Sequence, residues 1–392
     1  EMTRIIFPMV LLTSLSALCN GVLHSYNHFY APAAAWNLHN IGIITLGILL
    51  YKKFDIFSLC FGVLAGALSM VLVQIPVIYW KGFLYSRVID LKHPGVKKIL
   101  RLFLPAMLGL SITQINLMLV PVFFGSYFGE GVVTALHYAI RLLLLPLGMF
   151  GNALSMAIFP ALSRHAGADK RTEFRATFVR GINATFVFSL PSTVLFVILG
   201  LPITRLLFEG NKFTAADCEA TAFALIFFSV GLVGHTALQV IARGFYALQD
   251  TTAPFKTGLF SVLLVSLPGC ILLTHTSLRY GGIALAISLS AIVNAVLLYI
   301  LIARRIPELR TDQILSCFQR VASASLGMAI VCYYLKEYLA VYPIVIQVLV
   351  NMTISGGVFI VLATIFKVEE VQTLLRSIRS FIFRKGGAMK NG

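Results

Sequence analysis

The chain has 392 residues, of which 58% are apolar and only 12% charged, and its mean hydropathy is +0.90. A soluble domain carries about twice that charged fraction, so the composition excludes a soluble enzyme and places the chain in lipid. The formal net charge of +16 is accounted for by retained cationic connections and a basic tail suited to anionic membrane lipid. It requires no nucleic acid.

A helix needs about 20 apolar residues to cross the hydrocarbon core. Runs of that kind, bounded by charge or by Gly and Pro, predict helices at 5–25, 34–51, 55–77, 102–125, 132–161, 177–200, 219–246, 257–275, 282–303, 314–335 and 344–366. A transmembrane barrel alternates polar and apolar residues, whereas Leu142-Leu143-Leu144-Leu145 does not alternate. The predicted class is therefore an all-α polytopic membrane protein of about eleven helices. One set of alternate connections, with the tail, holds 20 Lys and Arg against 6 in the other, which assigns the C-terminus to the cytoplasm and Glu1 to the outside. Because the chain starts with Glu, lacks a charged leader and enters the membrane at once, an upstream part is expected.

Cys19, Cys60, Cys218, Cys270, Cys317 and Cys332 are scattered singly and read as buried thiols. His24 and His28 have no third ligand at a matching spacing, so no metal is predicted. Every Asp and Glu falls in a connection or at a helix end, which disfavours a carboxylate-based proton relay. Phosphate-binding loops and hydrolase signatures are also missing, so neither a cofactor nor an enzymatic activity is expected.

Cations within the spans say more. Arg141 lies about ten residues into the 132–161 span, roughly 15 Å deep by helical rise. An Arg at such depth costs at least about 2.5 kcal/mol unless it meets water, a partner or an anion. Two readings stand: an arginine lining a polar cavity and holding an anion such as phosphate, or one capped by backbone carbonyls freed near Pro146. His137 shares its face at i and i+4. Gln114 and Asn116 are cavity candidates or interhelical glue, and Arg180 and Arg243 are near enough to span ends to snorkel.

Two segments echo one another: Gly21 to Ala31-Pro32 and Gly244 to Ala253-Pro254 both run from a helix end through aromatics to Ala-Pro at the next helix start. A parallel duplication with two related lobes and a cavity between them is expected. With Phe7-Pro8 through Asn27-His28-Phe29-Tyr30-Ala31-Pro32-Ala33 and Asn40-Ile41, Pro146-Leu147-Gly148 through Phe159-Pro160-Ala161-Leu162-Ser163-Arg164, and Ala242-Arg243-Gly244-Phe245-Tyr246-Ala247 through Pro254, the chain resembles the MurJ (MviN) lipid II flippases of the MOP exporter superfamily.

That resemblance implies a two-lobed transporter whose first three helices are absent from this chain. Residues 1–80 are the remnant of the first lobe, 81–97 a basic cytoplasmic connection, 98–305 the second lobe, 310–367 a final helix pair grooved for a lipid tail, and 368–392 a basic cytoplasmic tail. It further implies alternating-access export of an undecaprenyl-diphosphate-linked peptidoglycan precursor across a bacterial inner membrane, with the family's cavity arginine falling on Arg141. Two positions depart from the pattern: a commonly acidic residue before that arginine is Ile140, and a polar or acidic one in the 102–125 helix is Val120. The alternatives are an exporter of another lipid-linked glycan or small molecule, and a membrane glycosyltransferase or polymerase. No oligomeric state follows from the sequence.

Overall fold

The computed structural model describes residues 2–26, 28–83, 90, 93–129, 131–167, 170–210, 212–306 and 309–376, and among them there is no strand. Among these residues ten helices are long and apolar enough to cross a membrane, and one further pair is bent by 45° between Val230 and Leu232. Counting that pair as one span gives the eleven that the hydropathy pattern predicts. The helices are α1 (Met2–Ser25), α2 (Tyr30–Phe54), α3 (Phe57–Trp80), α4 (Pro94–Phe128), α5 (Val132–Arg164), α6 (Arg171–Phe208), α7 (Ala215–Val230), α8 (Leu232–Ala247), α9 (Thr252–Thr274), α10 (Gly281–Arg305), α11 (Thr311–Val341) and α12 (Ile344–Ile365). Several run beyond the predicted bounds. The α6 helix extends over 38 residues, because backbone hydrogen bonding continues into interfacial turns whose charged side chains end an apolar window.

The chain divides into two compact units, 1–91 and 92–392. Of the basic connection expected over 81–97, residues 84–89, 91 and 92 lie outside the described residues, as does most of the tail expected over 368–392. In the first unit α3 packs on α1 and α2. Small residues let α2 and α3 meet backbone to backbone: a Cβ at Gly66 would stand 2.6 Å from the carbonyl oxygen of His39, and one at Gly42 2.9 Å from the Gly66 Cα. The Gln74 amide donates to Ser16 Oγ at 2.8 Å, joining α3 to α1.

In the second unit the bend between α7 and α8 is held from α10. A Cβ at Gly231 would meet Ser288 Cα at 2.6 Å, and Ser288 Oγ donates to the carbonyls of Phe227 and Phe228 at 2.8 and 3.2 Å. Carbonyls released by the bend thus regain donors, as hydrocarbon surroundings require. Asn351 joins α12 to α11 by donating to the Cys332 carbonyl at 3.0 Å.

Three helices contain a wider π-helical turn: Ile115–Leu119 in α4, Leu147–Asn152 in α5 and Val262–Ser266 in α9. Each adjoins a proline, namely Pro121, Pro146 or Pro268. Proline removes an N–H and crowds the preceding turn, and in α4 and α9 the wider turn stands just before the proline and accommodates both, whereas in α5 it follows Pro146.

The echoed segments have the same local structure, each within its own unit. Tyr26 N–H donates to Val22 O and His28 N–H to Leu23 O. With the numbering advanced by 222, Leu248 N–H donates to Gly244 O and Asp250 N–H to Phe245 O. Leu23 and Phe245 are both fully buried, and Ala-Pro occupies the second and third positions of α2 and of α9 alike.

Candidate functional site

The α5 helix is sided. Ala135 is buried, and Leu136, Ala139, Ile140, Leu142 and Leu143 are buried in an apolar core with Leu199, Leu225 and Phe228. Helical periodicity then turns Thr134, Arg141 and Leu145 outward, with His137 and Tyr138 half-buried at the edge of the same stripe. Arg141 is nine residues past Val132, about 14 Å along the axis. Among the described residues no hydrogen bond or ion pair engages the side chains of Arg141 or His137. The Tyr138 ring is braced by Phe208 and Phe213, with centroids at 4.6 and 5.0 Å. The stripe therefore presents an unpaired guanidinium with an imidazole one turn away, which suits an anion of phosphate type.

The other predicted residues do not all converge on this stripe. Gln114 is exposed on α4. Asn116 turns inward and accepts from Ser266 Oγ at 2.5 Å, so its carbonyl joins the π-helical turns of α4 and α9. Arg243 is half-buried with its guanidinium 5.4 Å from the Phe159 ring centre. Phe159 lies 18 residues beyond Arg141, about 27 Å along α5. A Cβ at Gly181 would meet Ile158 Cδ1 at 2.7 Å, which sets the exposed Arg180 at the same far level. Arg180 and Arg243 thus flank the far end of α5. Ile140 and Val120, the two departures from the family pattern, are 1% and 5% exposed, so a carboxylate at either place would be buried in apolar core.

Sequence reasoning missed two cations with defined partners. Arg320, inside the 314–335 span, donates from Nη1 to Lys367 O at 3.0 Å and caps the end of α12. Arg305 pairs with Asp250 at 2.6 Å and lies 5.3 Å from the Phe245 ring centre. Asp250 Oδ1 also accepts from Thr252 N, Thr252 Oγ1 and Ala253 N at 2.9, 2.7 and 3.1 Å, capping α9. Burial acts to raise the Asp250 carboxyl, but the hydrogen bonds from Thr252, Ala253 and Arg305 outweigh it and hold it below the ordinary carboxylate range. The Arg320 signal was a span arginine nine residues into α11. The Asp250–Arg305 pair had none, since 55 residues separate its members.

An apolar groove of about 580 Å3 is walled by Ile182, Phe186 and Leu190 of α6 and by Ile314, Leu315 and Phe318 of α11, with α8 and α10 completing it. Of the final helix pair only α11 lines this groove, and α12 contributes none of its lining residues.

Among the described residues, eleven apolar spans define a polytopic membrane protein, and their arrangement is that of a membrane transporter. The helix arrangement matches that of a MATE transporter solved in a bent conformation (TM-score 0.64, 19% identity, 80% of this chain and 70% of that one). It also matches "Lipid II flippase MurJ, inward closed conformation" with a TM-score of 0.70 and 26% identity over 93% of this chain and 74% of that one. The family described as "Lipid II flippase MurJ" matches residues 1–379, and the chain belongs to it. Relatives include a probable lipid II flippase of Haemophilus influenzae, 31% identical over 92% of this chain and 73% of the relative. Another, from Buchnera aphidicola subsp. Acyrthosiphon pisum, is 29% identical over 94% and 73%. A third, from Burkholderia cenocepacia, is 31% identical over 78% of this chain, which spans 60% of that relative's length.

Proposed function

We propose that the protein moves lipid II, an undecaprenyl-diphosphate-linked peptidoglycan precursor, from the inner to the outer leaflet of a bacterial inner membrane, with its C-terminus cytoplasmic. The observation that carries this reading is Arg141, exposed within its span and without a protein partner among the described residues. A planar guanidinium offers paired donors to a diphosphate, and the charge on that ligand would offset the cost of holding a cation within the membrane. His137, one turn away, is placed to donate to the same oxygens. The apolar groove between α6 and α11 suits an isoprenoid tail, whose hydrocarbon leaves the polar lining of the stripe to the headgroup.

Transport by alternating access exposes the Arg141 face to each side in turn. Binding alone shifts no net flux, so membrane potential acting on charge, or removal of the product, must bias the cycle. The chemistry is translocation, with no bond made or broken.

The test is leaflet accessibility of lipid II in cells depleted of their own flippase and supplied with this protein, either unaltered or as Arg141→Ala. Rescue by the first and failure of the second, at equal membrane insertion, is the expected result. Failure of both in a compatible host removes lipid II as the substrate, and rescue by both returns Arg141 to a structural role.

A further inference from the structure

A polar cavity of about 260 Å3 lies where α6, α11 and the segment following α12 meet, with no lining residue from α5. Its lining includes Asn183, Asp312, Arg320, Lys367, Glu369 and Glu370. Three carboxylates and two cations share this small space, yet among the described residues no salt bridge joins them. Asn183 is 7% exposed, and its carbonyl oxygen is buried with no hydrogen-bond donor. An unpaired acceptor in such a place is unfavourable and calls for a donor. Arg320 and Glu370 are held in place by other contacts: Arg320 on the Lys367 carbonyl at 3.0 Å, and Glu370 Oε2 accepting from the Cys317 thiol at 3.6 Å.

Position along the helices sets the depth. Asp312 is the second residue of α11, and Lys367 to Glu370 directly follow α12, so the cavity opens at the level where helices leave the hydrocarbon. A ligand for it must carry a cation with N–H donors for Asn183 and the carboxylates, together with an anion for Arg320 and Lys367. Metal alone fits poorly, since among the described residues no three His, Cys, Asp or Glu are grouped to hold one. We infer that this cavity binds the headgroup of a phospholipid bearing a primary ammonium, that is, phosphatidylethanolamine. Its ammonium donates to Asn183 Oδ1 and the carboxylates, and its phosphate faces Arg320 and Lys367. A trimethylated ammonium of equal charge lacks the N–H groups and leaves Asn183 unpaired.

The discriminating measurement is native mass spectrometry of the purified protein with equimolar phosphatidylethanolamine and phosphatidylcholine of matched acyl chains. Retention of the ethanolamine lipid is expected to exceed that of the choline lipid about tenfold, which corresponds to about 1.4 kcal/mol. Asn183→Leu conserves shape, and Glu370→Gln conserves size while removing a charge; each is expected to bring the ratio close to one. The unfolding temperature supplies a second readout. Added phosphatidylethanolamine raises it for the unaltered protein but not for Asn183→Leu, whose lipid-free form is at least as stable because the unpaired acceptor is gone. Equal retention of both lipids by the unaltered protein overturns the site, as does preference for an anionic lipid without an ammonium, or an undiminished preference in both variants. Lipid II movement plays no part in either readout, so failure here leaves the transport reading standing.

Discussion

Two arginines of the second unit show how differently a membrane protein treats the same side chain. Arg305 ends α10 with Asp250 at 2.6 Å and the Phe245 ring beneath it, so its charge is matched and its plane covered. Arg141 lies in mid-span on an exposed stripe, and no described residue pairs with it. The first is explained by the protein alone. The second has no such partner among the described residues, and the proposed function supplies one in the substrate's diphosphate, offsetting the cost of a guanidinium at that depth.

The largest expected effect comes from breaking the unmatched member. Arg141→Ala should lower lipid II translocation at least tenfold while changing stability by less than about 0.5 kcal/mol, since no protein contact is lost. Paired transport assays and unfolding curves check this, and a large fall in stability would make Arg141 part of the framework. Asp250→Ala should do the reverse. Losing the α9 cap and leaving Arg305 unpaired costs about 1–2 kcal/mol, read as a lower unfolding temperature, with transport by the folded protein largely retained.

The same pair gives a pH signature. The folded-state carboxyl of Asp250 is held below its ordinary range, so its contribution is present above the unfolded value of about 3.9 and is lost as pH falls through the folded value. The stability gap between the unaltered protein and Asp250→Asn should accordingly stay constant from neutrality to about pH 5 and shrink below about pH 4. The smallest effect is expected for Arg141→Lys, which keeps the charge but loses the planar fork and should leave transport between the parent and the alanine variant.

Most of the fold was legible because a span is a compositional object. Eleven apolar windows gave eleven spans among the described residues, and only their ends shifted, mostly outward as with Pro94 and Phe208. The bend after Val230 was hidden inside one continuous apolar run, since it is fixed from outside by Ser288 of α10. Arg141 stood out on solvation cost alone. Asn116 did not reveal its role, because its partner Ser266 is 150 residues away, and an amide reads the same whether it faces a ligand or another helix. Arg305 was counted as one more retained positive charge, and only the folded chain brings Asp250 to it.

The π-helical turn at Leu147–Asn152, whose Phe150 stacks on Phe188 of α6, separates the Arg141 stripe from the half of α5 that carries Ile158 onto α6. Such a turn holds one residue more than an ordinary helical turn, and one residue is worth about 100° of rotation. Deleting a single residue there would leave the composition of the span nearly untouched, yet it would swing the guanidinium about a quarter of a circle away from its present outlook. The aim of the charge is thus set by a count: one surplus residue acts as the pointer's offset.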